Sequence, residues 1–449
     1  PAGPRPPKSY GGSRISGRAV SPFEADARQF ALFEDAGLSR RSDGTLLLGE
    51  VSLEAIAREA GTPAYVYNAA AIRARFAELA AALAPAAHRI CYAVKANGCL
   101  GVLRLLRELG AGCDIVSRGE LQRALAAGFD PAKLVFSGVG KRADELAVAI
   151  AAGVGQINLE SLEELEALAA LAARHDGPAI RVGIRVNPDV TVDTHPYTRT
   201  AMAAAKFGIP ADQVLETAQR VAGQRGLRLT GLAMHVGSQV LDPAPFEKGA
   251  RRLAELVGVL RTAGISTLES LDLGGGLGIR YKDEVPLTPE RLAGALLPIV
   301  TPLGLAIHVE PGRYLVGSAG VLLASVLYRK HAGGTDFVIV DAGMNDLVRP
   351  SHYNAHHEIV VVRQGEGSAT PVDVVGPICE SGDFLALGRP LPPVAAGDVL
   401  AVLGTGAYGF VMSSNYNDRP RPPEILVDGS GWSIVRRRET LEDLLRSEL

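Results

Sequence analysis

Apolar and polar positions fall into two rhythms along this chain. From Ala69 onward, short apolar runs alternate with longer stretches in which apolar residues recur every third or fourth position. The short runs predict strands at residues 90–94, 113–116, 134–136, 156–159, 180–186, 229–235, 271–273 and 305–309. The longer stretches predict helices, among them 102–109, 120–127, 143–151 and 162–174, with Gly128 and Gly153 where helix caps belong. Eight strand–helix units in about 250 residues fit a closed (β/α)8, TIM-type barrel. An open doubly wound sheet is the alternative; a count that stops at eight favours the barrel.

After Gly317 the rhythm changes. Short β-type runs at 321–328, 337–340, 358–362, 372–375, 399–403, 424–427 and 432–435 are separated by Gly, Pro and Asp, with a single late helix expected near 439–445. This predicts a second, β-rich domain of barrel or sandwich type. Two early strands, 46–48 and 64–67, flank a helix at 53–59 and are expected to join it. Residues 1–28 are rich in Pro, Gly, Ser and Arg and read as a mobile tail. The expected organisation is therefore a tail (1–28), N-terminal strands of the β domain (29–67), an α/β barrel (68–317) and an all-β C-terminal part (318–449).

Composition narrows the function classes. With 449 residues, 47% of them hydrophobic, there is material for more than one core. A formal charge of −3 implies no basic face, so nucleic acid is not an expected partner. No apolar run is long enough to span a membrane, and no charged segment followed by an apolar one marks a secretory signal. The four cysteines, Cys91, Cys99, Cys113 and Cys379, form no C-x-x-C pair and no zinc spacing, so no metal is expected and a reduced, cytoplasmic setting fits.

In such a barrel the reactive groups gather where the strands end. The first strand closes on Tyr92-Ala93-Val94-Lys95-Ala96-Asn97. A half-desolvated amine there would have a lowered pKa and act as a nucleophile toward carbonyls. The ordinary alternative is a lysine that ends a strand and points into water. The fifth strand ends in Arg185-Val186-Asn187-Pro188 and the sixth in His235-Val236-Gly237-Ser238. The seventh runs into Gly274-Gly275-Gly276 and the eighth into Glu310-Pro311-Gly312-Arg313. Loops after strands seven and eight often bind phosphate, glycines admit its oxygens close to backbone N–H groups, and Arg313 could clamp it. An amine and a phosphate cradle on one rim suggest pyridoxal 5'-phosphate, with Glu310 on the pyridine nitrogen and His235 on the ring face. Gly404-Thr405-Gly406-Ala407-Tyr408-Gly409 fits G-x-G-x-x-G, but the polar, irregular stretch after it is no dinucleotide-binding helix.

Further motifs stand at Gln239, at Met344-Asn345-Asp346-Leu347-Val348-Arg349-Pro350, at Cys379-Glu380-Ser381-Gly382-Asp383 and at Gly406-Ala407-Tyr408-Gly409. With those above, the chain resembles the alanine-racemase-type, barrel-plus-β-domain pyridoxal phosphate decarboxylases, and among them the branch acting on meso-2,6-diaminopimelate. The resemblance spans Lys95 to Tyr408. It implies that Lys95 holds the cofactor as a Schiff base and that His235 stacks on the ring. Ser238, Gly274, Gly275, Gly276, Gly312 and Arg313 would bind phosphate, and Glu310 the pyridine nitrogen. Arg313, Arg349, Tyr353 and Glu380 would hold the substrate, Tyr408 would touch both, and Cys379 would protonate Cα. It further implies a homodimer with sites shared across the interface, and a carboxy-lyase that makes L-lysine and CO2 in the last step of lysine biosynthesis. Asp193-Thr194-His195-Pro196-Tyr197 and Lys206-Phe207-Gly208 match the family's fifth-strand loop without a catalytic role. The alternatives are a decarboxylase of another amino acid (ornithine, arginine or carboxynorspermidine type) and a protein that stores the cofactor without turnover. Arginines rather than acids for the far end of the substrate argue against the first. A second half-site around Cys379 and Tyr408 argues against the other.

Overall fold

Eight parallel strands, His88–Ala93, Gly112–Ile115, Leu134–Phe136, Gln156–Leu159, Ile180–Asn187, Leu227–Ala233, Ser270–Asp272 and Ala306–Val309, pair in chain order. The ring closes where Val309 of the last strand pairs with Ile90 of the first. The computed structural model describes residues 29, 31–190 and 206–448. The mobile tail expected at 1–28 and the motif at 193–197 lie outside the described residues. Each of the eight expected strands is present, 134–136 and 156–159 with the expected ends and the others displaced by one or two positions.

Local chemistry explains the helices between them. Ser117 Oγ accepts from Glu120 N (3.2 Å) and Ser161 Oγ from Glu164 N (3.2 Å), satisfying amide groups that a first helical turn leaves free. Gly153 ends the helix Ala143–Ala152 at φ 75°, a conformation that costs glycine little. In Leu162–Ala172 the residues Leu165, Leu168 and Ala172 share the buried face. The barrel interior is partly polar: Gln156, Asn158, Ser137 and Thr230 hydrogen-bond to one another across it.

The β-rich part is built on the long strand Gly320–Ala332, which pairs with Thr335–Val340, Val399–Leu403 and Ala64–Asn68. Ala64–Asn68 also pairs with Glu424–Asp428, so this early strand joins the late ones as expected. The other early strand does so only at its edge. Leu38–Arg40, Leu46–Leu48 and Val51–Ser52 make their own three-stranded sheet, tied to the larger one by Leu46 N donating to Val362 O at 2.8 Å. Two elements correct the sequence reading. Phe384–Leu391 is a strand that the expected set omits; it contains Pro390 and sits at a sheet edge, where a missing N–H is tolerated. The helix near the C-terminus (Leu441–Leu445) is not the only late one, because Arg349–Tyr353 forms a short helix started by Pro350. Among the described residues no helix is long and apolar enough to cross a membrane.

One buried charge fastens the β part together. Glu424 is 1% exposed; it accepts from Tyr67 OH (2.7 Å) and pairs with Arg436, whose guanidinium lies 4.7 Å from the Phe410 ring. Arg436→Met strands that carboxylate. The expected cost is roughly 3 kcal/mol, the low end for a broken buried pair because Arg436 is partly exposed; urea unfolding of the two proteins measures it.

Candidate active site

Lys95 does not end the first strand. It sits two residues beyond, in the single turn Val94–Ala96, and neighbouring backbone holds that turn. Tyr92 OH donates to Asn97 O (2.9 Å), Asn97 Nδ2 to Gly406 O (3.0 Å) and Tyr408 N to Ala96 O (2.8 Å). Gly312 must be glycine here, since a Cβ would stand 2.9 Å from that of Ala96. The G-x-G-x-x-G pattern thus serves close packing: a Cβ on Gly406 would collide with the Val316 carbonyl, and the next element is only the short turn Phe410–Met412.

The Lys95 amine forms an ion pair with Asp114, a fully buried carboxylate on the second strand. Asp272 from the seventh strand and Glu310 after the eighth complete a cluster of three carboxyl groups. Burial, with the charges of Asp114 and Asp272, pushes Glu310 well above the usual carboxyl range. Burial also raises Asp272 to about 6, against the Gly274 N–H it accepts at 2.9 Å. Burial thus favours the protonated form of Glu310, and its Oε1 is buried without a partner. The lysine corrects an expectation. Burial does pull its pKa down, but Asp114, Glu310 and Tyr408 outweigh that, and the free amine is held above its ordinary value. The carboxylates that reverse the sign come from other strands, far away in sequence.

His235 follows the sixth strand. Burial above all, then the charges of Arg185 and Lys95, holds it well below its usual pKa, so the ring is neutral. Its Nδ1 accepts from Gly275 N at 3.2 Å, which leaves the ring proton on Nε2. Arg185 is fixed by Glu160 (2.7 Å) and lies 5.0 Å from the Phe207 ring, while Gly208 N donates to the same Glu160 (2.9 Å). That is the task of the Lys206-Phe207-Gly208 motif. The glycine loop packs tightly: Cβ atoms at Gly274, Gly275 and Gly276 would strike the carbonyls of Met234, Glu310 and Gly237. Gly274 and Gly276 also have φ of 70° and 113°.

Beside this loop lie two buried guanidiniums. Arg313 donates to Ser238 Oγ (3.0 Å) and Tyr281 OH (2.5 Å) and lies 4.9 Å from the Tyr408 ring. Arg349 donates through Nε to His357 Nε2 (3.2 Å) and lies 5.0 Å from the Tyr281 ring. His357 in turn donates from Nδ1 to Leu403 O (2.8 Å). Neither arginine has a carboxylate partner among the described residues. Burial lowers the Arg349 pKa, and the charge of Arg313 adds to it while Tyr281 opposes. Tyr353 ends the helix that Arg349 begins and feels both charges. Tyr408 holds a left-handed φ of 56°, strain that its hydrogen bond to Ala96 helps sustain.

The rim thus gathers Lys95, His235, Ser238, Gly274, Gly275, Gly276, Glu310, Gly312, Arg313, Arg349, Tyr353 and Tyr408. Cys379 and Glu380 stand apart and exposed: Cys379 N donates to Asn417 Oδ1 (2.9 Å), and Glu380 accepts from Tyr416. Asp383 pins their loop to the Met344 run by accepting from Met344 N and Ile378 N, both at 2.6 Å. Sequence reasoning missed Asp114, Asp272, Tyr281 and His357. Asp114 and Asp272 carried a usable signal, a lone acid inside an apolar barrel strand, since such residues are rarely buried unpaired. The site residues fit a phosphate-bearing pyridine aldehyde: one amine, buried carboxyl oxygens without partners on Asp114, Asp272 and Glu310, a glycine cradle and a cationic wall.

Residues 69–317 match the family model described as "Pyridoxal-dependent decarboxylase, pyridoxal binding domain". The chain is 49% identical to the diaminopimelate decarboxylase of Pseudomonas aeruginosa over 90% of its own length and 97% of that protein's. It is also similar to the crystal structure of diaminopimelate decarboxylase from Helicobacter pylori complexed with L-lysine (TM-score 0.85, 39% identity, covering 88% of this chain and 98% of that one). The corresponding enzyme from M. jannaschi superposes with a TM-score of 0.88 at 33% identity, covering 93% and 99%.

Proposed function

The chain belongs to the pyridoxal-dependent decarboxylases, in their diaminopimelate branch, and from that premise we propose how its residues divide the work. It is a carboxy-lyase that uses pyridoxal 5'-phosphate to convert meso-2,6-diaminopimelate to L-lysine and CO2. The observation that carries the assignment of residues is the pair of buried arginines, Arg313 and Arg349, that both lie against the Tyr281 ring and have no carboxylate partner among the described residues. Two uncompensated buried cations call for anionic ligands. A cofactor phosphate and the distal carboxylate of the substrate supply one each.

When bound, the cofactor offers an aldehyde to an amine and a ring that takes up the electron pair left at Cα as CO2 departs. Lys95 would hold the cofactor through its amine, and Asp114 keeps that amine charged and in place when it is free. Glu310 would pair with the pyridine nitrogen and keep a proton on it, which the ring's electron uptake needs. Neutral His235 covers a ring face without adding positive charge. Ser238, Gly274, Gly275, Gly276 and Gly312 take the phosphate with Arg313. Arg349, oriented by His357, binds the distal carboxylate with Arg313, Tyr353 and Tyr408 around it. Cys379 and Glu380 serve the site of a second copy in a homodimer, Cys379 protonating Cα. Residues 68–317 act as the cofactor-holding barrel, and 29–67 with 318–449 as the β domain that carries Arg349 and the Cys379 loop. The setting is cytoplasmic lysine biosynthesis.

The test is CO2 release from a substrate panel. meso-Diaminopimelate is expected to turn over, and ornithine and arginine far more slowly. Arg349→Met is expected to lower kcat/KM for diaminopimelate by roughly two to three orders of magnitude while cofactor absorbance persists. Equal losses for diaminopimelate and ornithine would remove Arg349 from recognition of the distal carboxylate.

A further inference from the structure

A cavity lies at the opposite end of the barrel from Lys95, where the strands begin. It encloses about 650 Å3 and is lined by Arg89, Arg181, His175 and His308 together with a wall of Ala, Leu, Val and Ile side chains. Arg89 belongs to the first strand and pairs in the ladder with His308 of the eighth. Arg181 is occupied: it pairs with Glu269 (2.7 Å) and donates from Nε to Gly155 O (3.0 Å). The Arg89 side chain has no hydrogen bond or ion pair among the described residues. No aspartate or glutamate lines the cavity. His308 is 8% exposed and its Nδ1 has no partner. Burial and the charges of Arg89 and Arg181 push its pKa down to about 4, so it adds no positive charge near neutrality.

Arg89 is half-buried in the wall of this apolar chamber, and its unpaired guanidinium offers an entering anion a charge-assisted contact. The volume lies within the range of small-molecule pockets, roughly 300–1,000 Å3. In barrels of this kind the strand N-termini carry no chemistry, so this end is free for another ligand. We propose that this cavity is a binding site for a small organic anion, an apolar body ending in a carboxylate that pairs with Arg89. The apolar wall argues for such a body over a bare inorganic anion, which would leave that wall unfilled. Arg89 lies on the strand that leads to Lys95, and His308 on the one that leads to Glu310, so a ligand here braces the two strands that deliver those groups.

Octanoate is the probe. Calorimetric titration of the holoenzyme is expected to give saturable binding, with 1-octanol and inorganic phosphate at least about tenfold weaker. Arg89→Met is expected to abolish the octanoate isotherm while decarboxylation continues. Ala152→Phe, which fills the chamber from the end of its helix, is expected to do the same without removing the charge. Activity in both variants reports that they fold. The proposal is overturned if octanoate does not bind the wild type, or if both variants bind it unchanged. Phosphate binding as tightly as octanoate would overturn the organic body.

Discussion

Lys95→Ala is expected to leave a protein that retains no borohydride-fixed cofactor and turns over ~10⁴-fold more slowly or worse, because the covalent anchor and a proton carrier go together. Mass spectrometry of the reduced wild type should find the label on Lys95. The same substitution carries a stability cost that must be separated from the chemistry. Lys95 is the cation set against Asp114, which is 0% exposed and whose second oxygen already lacks a partner. Removing the amine from the cofactor-free protein leaves a buried charge alone, a loss of about 3–5 kcal/mol. The double variant Lys95→Met with Asp114→Asn is therefore expected to regain much of that stability in urea unfolding and none of the activity. If the double variant recovers turnover, Lys95 is not the anchor.

How far this was legible beforehand depends on where the information lies. The barrel strands were readable because each is a short apolar run bounded by polar helix patterns, and burial on both faces makes such runs stand out. The rim motifs were readable because glycines and single charges break those runs at one place, as Gly274, Gly275 and Gly276 do after Asp272. What escaped is non-local. The charge on Lys95 is decided by Asp114 and Glu310, brought beside it by closure of the barrel. Tyr281 belongs to no motif and acquires its role only because Arg313 and Arg349 converge on it from two domains of the fold. Phe384–Leu391 is not among the expected strands, and only its position at a sheet edge makes Pro390 harmless there. Local pattern reports elements and exposed chemistry; partnerships between buried charges need the three-dimensional arrangement.

Mixing two inactive variants is expected to restore activity, and this follows from where Cys379 lies. Its loop is rigid, held through Asp383 to Met344 and Ile378, yet the thiol is exposed and stands outside the buried cluster around Lys95. A proton donor to Cα must come within hydrogen-bonding reach of the reacting carbon. A thiol fixed outside its own chain's cluster meets that demand if it serves a neighbour's. Cys379→Ala alone is expected to lower kcat by about 10²–10⁴-fold, the usual worth of a positioned acid, with cofactor absorbance intact. Lys95→Ala alone is inactive for the reason above. Unfolded together and refolded, the two chains assort at random and half the dimers are mixed. Each mixed dimer has one site with a native lysine and a native cysteine, so activity should return to about a quarter of the wild-type value per chain. Separately refolded chains, pooled without exchange, serve as the control and should stay inactive. If refolding the mixture restores nothing, while size measurement confirms that mixed dimers formed, then the thiol and the amine of a working site come from one chain, and the assignment of Cys379 to a second copy is wrong.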